Sequence, residues 1–250
     1  MTQSPENPNI TKEPPWLNRL VSAEPRAPLM FPYLAYLLLL AVQGQTPPSA
    51  WPAMIGLHTM GALWVCWLFR KHWPPLGKPH VLTATLVGLL AACGWVVGQH
   101  WLDGITIGSW NLGGRLPLYP GSPNPYNPHV DFGDGSPFWS YAVLKIVRAT
   151  TAVPIVEELL WRGFLLQALM SWDRYESVPY GKFHWRAFIG TALISTIQHP
   201  DNWGVSIFCW LLFNLAFYWH KSLLSMFLTH AVTNLALYGY VIRSGDWRFW

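Results

Sequence analysis

Charge is what this chain has least of. Only 11% of its 250 residues are Asp, Glu, Lys or Arg, against about 25% in ordinary soluble domains. With 52% hydrophobic residues, the composition points away from a soluble enzyme with a large aromatic core and toward a membrane protein. Cysteine is scarce as well. Cys66, Cys93 and Cys209 fall in three different apolar runs with no CxxC spacing, which argues against a disulfide framework or a zinc site and reads as buried, inert thiols. No basic stripe is present to track a nucleic-acid backbone, so no nucleic-acid partner is expected. No HExxH helix and no GxSxG elbow occurs, so zinc-protease and serine-hydrolase chemistry lack their usual signatures. No internal repeat supports an inverted-repeat transporter. The polar first 28 residues lack the apolar core of a cleaved signal peptide at its usual position.

Long apolar runs and tryptophan are abundant. Seventeen tryptophans occur, and Trp51, Trp73, Trp101, Trp139, Trp172 and Trp203 sit near the ends of apolar runs, as in an interfacial aromatic belt. Runs near the roughly 20 residues needed to cross a bilayer fall at about 29–45, 51–69, 80–101, 138–160, 185–199, 203–220 and 222–242. The expected fold is therefore all-α, a polytopic transmembrane bundle of about seven passes (seven or eight helices). Residues 1–28 form an N-terminal segment and residues 29–250 the bundle.

Loop charge fits that count. Lys12, Arg19 and Arg26 precede the first run; Arg70, Lys71 and Lys78 follow the second; Arg174, Lys182 and Arg186 follow the fourth; Lys221 follows the sixth. All fall on one side if the passes alternate, and the positive-inside rule makes that side cytoplasmic. The N-terminus is then cytoplasmic and the C-terminus outside, with Arg243 and Arg248 as a partial exception. Asn9-Ile10-Thr11 matches a glycosylation sequon that this topology puts on the wrong side. The 102–137 stretch is external; its prolines, Pro117 to Pro137, preclude a continuous helix, and it is expected to lie over the outer mouth as a connector or lid.

The informative polar residues stand inside apolar runs. Glu157-Glu158-Leu159-Leu160-Trp161-Arg162 interrupts the run from Val153 to Met170, and ionisable groups at membrane depth are costly, about 2.5 kcal/mol or more each, so they usually have a task. Glu158 and Arg162 are spaced i, i+4 and can pair on one helix face. Glu157 points about 100° away, free to face a cavity as a proton acceptor. The alternative is a surface ion pair in the headgroups. Pro154 should bend this helix, and Gly163 offers close helix approach. His230 and Asn234 repeat the i, i+4 spacing on the last run, where the amide could fix the imidazole tautomer or help bind an oxyanion; a plain helix-packing pair is the alternative. His199 closes the fifth run before Pro200, either in the site or at the interface. Lys145 and Arg148 are expected to snorkel outward or pair with loop acids, with steering of an acidic substrate segment as the functional alternative, and His58, His100, His184 and His220 to be interfacial.

In this order, Glu157-Glu158-xxx-Arg162, His199 and His230-xxx-Asn234 resemble the signature of the CPBP intramembrane protease family, which includes CAAX prenyl endopeptidases and bacteriocin-processing proteins. The similarity covers roughly 138–242, the expected catalytic core. Length and tryptophan-rich style also resemble the CAAX-protease-related membrane proteins found beside bacterial exosortase sorting systems. The family usually has a phenylalanine four residues before its middle histidine; here that position is Ser195, which bears on pocket shape and substrate choice. The resemblance implies a glutamate-type protease of a bacterial inner membrane. Glu157 would activate a water that His199 helps to position, His230 and Asn234 would stabilise the oxyanion, and Glu158 and Arg162 would shape the site. A protein or peptide substrate is implied, lipidated or bearing a sorting signal, with membrane lipids around it.

Two glutamates and two histidines could also hold a divalent metal. Because Arg162 already engages one carboxylate and the spacing is not that of zinc helices, no cofactor is expected. The rival readings are a catalytically inactive scaffold, chaperone or immunity protein on the same bundle, and a proton-coupled transporter using the set as a relay.

Overall fold

The computed structural model describes residues 13–119 and 125–250. Asn9-Ile10-Thr11, Lys12, Pro120 and Pro123 lie outside them. The described chain is almost wholly helical. A short amphipathic helix, α1 (Pro15–Ala23), precedes three long apolar helices: α2 (Ala27–Gly44), α3 (Trp51–Phe69) and α4 (Val81–Asp103). Spans Ala27–Gly44, Pro48–His72 and Val81–Asp103 are each long and apolar enough to cross a membrane. Their outer faces present Leu38, Leu57, Leu82 and Leu86, apolar surface of the kind a bilayer covers. Helix α1 was not expected from the sequence. It is too short to cross anything, and it docks through Leu17 against Phe31 and Phe69.

The 102–137 stretch holds a two-stranded hairpin, β1 (Thr106–Ile107) with β2 (Trp110–Asn111), and one helical turn, α5 (His129–Phe132). As its prolines require, no long helix forms among its described residues after Asp103. Its first half packs against the junction after Gln198: Arg115 pairs with Asp201 at 2.5 Å, Leu116 N–H donates to the Pro200 carbonyl, and Trp110 stacks on Trp203.

The fourth apolar run is longer than expected and broken. Helix α6 (Ser136–Thr150) stops at Thr151, whose φ −121°, ψ −75° is not helical, and α7 (Ala152–Leu160) begins at once. The cause is Pro154, which lacks an N–H and whose ring clashes with the carbonyl four residues back. A π-helical turn, Trp161–Leu165, and α8 (Leu166–Ala168) complete the element. Helices α9 (Trp185–Gln198), α10 (Trp203–His220) and α11 (Leu223–Ser244) follow. Contacts along α11 show that α6 and α7 form one kinked rod: His230 meets Glu158, Asn234 meets Ala149, and Tyr238 meets Lys145.

Helix α4 packs against both α10 and α11, and its glycines allow this. A Cβ on Gly88 would stand 2.7 Å from the Thr229 carbonyl oxygen, and one on Gly94 2.3 Å from the Phe208 ring. Gly163 is not such a point: a Cβ there would meet Leu29 at 3.4 Å, ordinary contact.

Several other expectations are corrected. Cys66 and Cys209 are buried, but Cys93 is exposed on α4. His58 is not interfacial: at 1% exposure it lies inside the bundle, because α3 turns it toward Tyr36 and Arg148. His220 is likewise buried, between Thr83 and Ser225. Arg148 neither snorkels nor meets a loop acid; it is buried against Gln43. Lys145 lies against aromatic rings.

Candidate active site

Three helical segments and one helix end converge on a cavity of about 280 Å³ whose walls include Glu157, His199, His230 and Asn234. Helix α11 supplies the longest wall through His230, Thr233, Asn234, Leu237 and Tyr238, an i, i+3, i+4, i+7, i+8 stripe that places all five on one face. Ala149, Val153 and Glu157 face it from the kinked α6–α7 rod, and Trp210 and Phe213 from α10.

The two glutamates part as helix geometry demands. Glu158 and Arg162 are fully buried, and Arg162 Nη1 donates to both Glu158 oxygens at 3.1 Å. The headgroup ion pair is therefore ruled out. The guanidinium also lies against the rings of Phe213 and Trp210, at 5.3 and 5.5 Å. Such stacking suits arginine, whose planar cation is weakly hydrated. A π-helical turn starting at Trp161 widens the helix here, and turns of this type are frequent at functional sites.

Glu157 turns to the cavity. Its Oε1 accepts from Gln198 Nε2 at 2.5 Å, and its Oε2 stands 4.0 Å from His230 Nε2. Gln198 was not singled out in the sequence, because a glutamine ending a helix carries no motif. His199, expected to help position the water, makes no hydrogen bond through its ring among the described residues. The His199 ring instead sits between Trp95 and Trp210, at 5.2 and 5.3 Å. These two indoles supply aromatic surroundings in a site where Ser195 stands at the position for which the resemblance implies a phenylalanine. Ser195 itself is buried and shares a 2.7 Å hydrogen bond with Ser206, tying α9 to α10.

His230 is oriented by Glu158, not by Asn234. Its Nδ1 lies 2.9 Å from Glu158 Oε1. A carboxylate only accepts, so Nδ1 carries the proton. Nε2 then faces Glu157, as a lone pair on a neutral ring or an N–H on a protonated one. Asn234 Nδ2 donates to the Ala149 carbonyl at 2.7 Å, on the last turn before the Thr151 break. Its second N–H and its Oδ1 remain for the cavity. Among the described residues, no group of three or more His, Cys, Asp or Glu side chains is placed to hold a metal ion.

The chain's last residues close one end. Gly245, at φ +73°, ends α11 and turns the chain back, so that Arg248, Phe249 and Trp250 line the cavity. Arg248 bonds Asp103 and His100, and Trp250 Nε1 donates to the Tyr141 hydroxyl at 3.3 Å. The expected 102–137 cover thus stands beside His199, while this C-terminal strap forms the wall.

A helical membrane protein with a buried glutamate–histidine cavity is the class that this fold and site define. Residues 139–236 match the family described as "Type II CAAX prenyl endopeptidase Rce1-like". Over that span the chain is similar to the CPBP/CAAX proteases, a family of intramembrane proteases. No curated protein and no solved structure matches the chain.

Proposed function

We propose that this protein is a glutamate-type intramembrane endopeptidase. The observation that carries the reading is that Glu157, His199, His230 and Asn234, far apart in sequence, line one cavity while the neighbouring Glu158 is engaged by Arg162. The free carboxylate of Glu157 is the base: it takes a proton from a water as that water attacks the substrate carbonyl, and returns it to the leaving amine as the C–N bond breaks. Gln198 fixes the carboxylate through Oε1, leaving Oε2 toward His230. His199 helps to place the water. Protonated on both nitrogens, His230 presents Nε2–H to the developing oxyanion, and Asn234 adds its spare N–H. Donors of this kind are worth about 10²–10³ in rate each. Glu158 and Arg162 act through His230 and hold its ring. No metal enters the scheme.

The substrate is a protein or peptide segment within the bilayer, lipidated or bearing a sorting signal. The protein crosses a bacterial inner membrane about seven times with its N-terminus in the cytoplasm. The reading gains from loop charges that alternate with the helices described above.

The test compares purified wild type with Glu157→Ala on an internally quenched peptide in lipid nanodiscs. The expected result is cleavage by wild type and a loss of at least about 10²-fold in the variant. Equal cleavage by the two would overturn the assignment of the base. Function of Glu157→Ala and His199→Ala in a deletion strain would favour the inactive-scaffold reading.

A further inference from the structure

Helix α6 carries two basic side chains that no acid answers among the described residues. Arg148 is 7% exposed, and its Nη1 meets only neutral partners, Gln43 Oε1 at 2.7 Å and His58 Nδ1 at 3.1 Å. Because arginine only donates, His58 Nδ1 accepts, so the ring is neutral with its proton on Nε2. Arg148 Nε is buried without a hydrogen-bond partner, and the His58 ring also meets the Tyr36 backbone. One turn earlier, the Lys145 ammonium lies 4.5 Å from the Trp250 ring and 5.8 and 5.9 Å from those of Tyr141 and Tyr238. Aromatic faces attract a cation but do not neutralise it, and an uncompensated buried charge is strongly unfavourable. The nearest internal carboxylates are committed elsewhere, Glu158 to Arg162 and His230, Glu157 to Gln198. Positive charge together with unused donors inside the bundle defines a place for an anion.

Lys145, Arg148 and His58 stand behind the wall of the Glu157 cavity, which their neighbours line. Ala149, the residue after Arg148, lines it; so do Tyr36, which packs on the His58 ring at 4.5 Å, and Tyr238 and Trp250, which flank Lys145. We propose that Lys145, Arg148 and His58 form a carboxylate-binding subsite that takes a carboxylate of the peptide substrate, its C-terminus or an acidic side chain. The inference rests on the endopeptidase reading of the same cavity. A peptide is favoured over a lipid headgroup because Arg148 and His58 point into the bundle, away from its apolar exterior. Gln43 and His58 hold the guanidinium in place, and the buried Arg148 Nε–H and the Lys145 amino group supply bonds to the arriving carboxylate.

The test uses peptides with randomised apolar ends in three pools: free C-terminal acids without Asp or Glu, the same sequences as C-terminal amides, and amides carrying one Glu. Retention on Glu157→Gln protein in phosphatidylcholine nanodiscs is read by mass spectrometry, and cleavage is read with wild type. One of the two carboxylate-bearing pools should be retained at least about tenfold over the neutral amides, the gain expected of charge-assisted hydrogen bonds, and the pool that wins identifies the source. Arg148→Gln or Lys145→Met, added to Glu157→Gln, should bring the preference to within about twofold, and Lys145→Arg should keep it. Loss of fold would lower all pools together and leave their ratio unchanged, so the ratio isolates the subsite. Equal retention of all pools, or a preference untouched by Arg148→Gln, overturns the proposal. Loss of the preference when phosphatidylglycerol is added overturns it in favour of a headgroup. Cleavage of all pools alike rejects the subsite and leaves the endopeptidase standing; selective retention without cleavage does the reverse.

Discussion

Arg162 is the residue on which most of the polar core depends. It holds Glu158, which in turn holds His230, so Arg162→Met leaves a carboxylate buried and uncompensated. Breaking a buried pair in this way costs about 3–5 kcal/mol, and the variant should unfold at clearly lower denaturant than wild type in detergent. Adding Glu158→Gln should restore part of that loss, since a neutral amide is cheaper to bury than a lone charge. Gln198→Ala is a milder change. It removes one bond to the Glu157 carboxylate, and the expected outcome is about tenfold lower kcat with KM little changed, the mark of an interaction that matters in the transition state. Rescue by Gln198→Asn is not expected, because the shorter side chain falls short of the carboxylate.

At the scale of elements, glycine and proline decide how close helices come and where they bend. Gly88→Val puts a side chain within 3 Å of Thr229 and Val232, an overpacking that costs about 1–3 kcal/mol, whereas Gly163→Ala meets its nearest atoms at ordinary contact and should leave the melting temperature within a few degrees of wild type. Thermal unfolding of the two variants checks the contrast. The same elements show what the sequence disclosed. The long apolar runs and the i, i+4 pairs Glu158–Arg162 and His230/Asn234 were legible, because helix periodicity alone fixes which side chains share a face. The break near Pro154 was legible for a different reason, since proline lacks the N–H that a helix interior needs. Partners between helices were not. Nothing local says that Glu158 would reach His230, that Asn234 would take the Ala149 carbonyl, or that Gln198 would stand closer to Glu157 than His199 does. Those contacts depend on the rotation of one helix against another. Arg148 and His58 looked like boundary residues because a sequence shows their cost but not the neighbours that share it.

At the scale of the whole molecule, the Trp247–Trp250 strap joins the end of α11 to α4 and α6 across the cavity. Arg248→Ala removes the cation shared by Asp103, Asp246 and His100. It should raise hydrogen exchange at residues 246–250 while the amides of α10 stay protected, because segments held by few contacts open independently of the core. Unchanged protection of the strap would mean that Phe249 and Trp250 alone hold it. Helix α4 also offers an experimental handle. Of the three cysteines, only Cys93 looks outward, and it directly precedes Gly94, where Phe208 of α10 presses closest. A lipid-soluble maleimide dye should therefore attach to the native chain at one position beside the α4–α10 seam. Its emission would report any rocking of those two helices during turnover, with no engineered thiol needed.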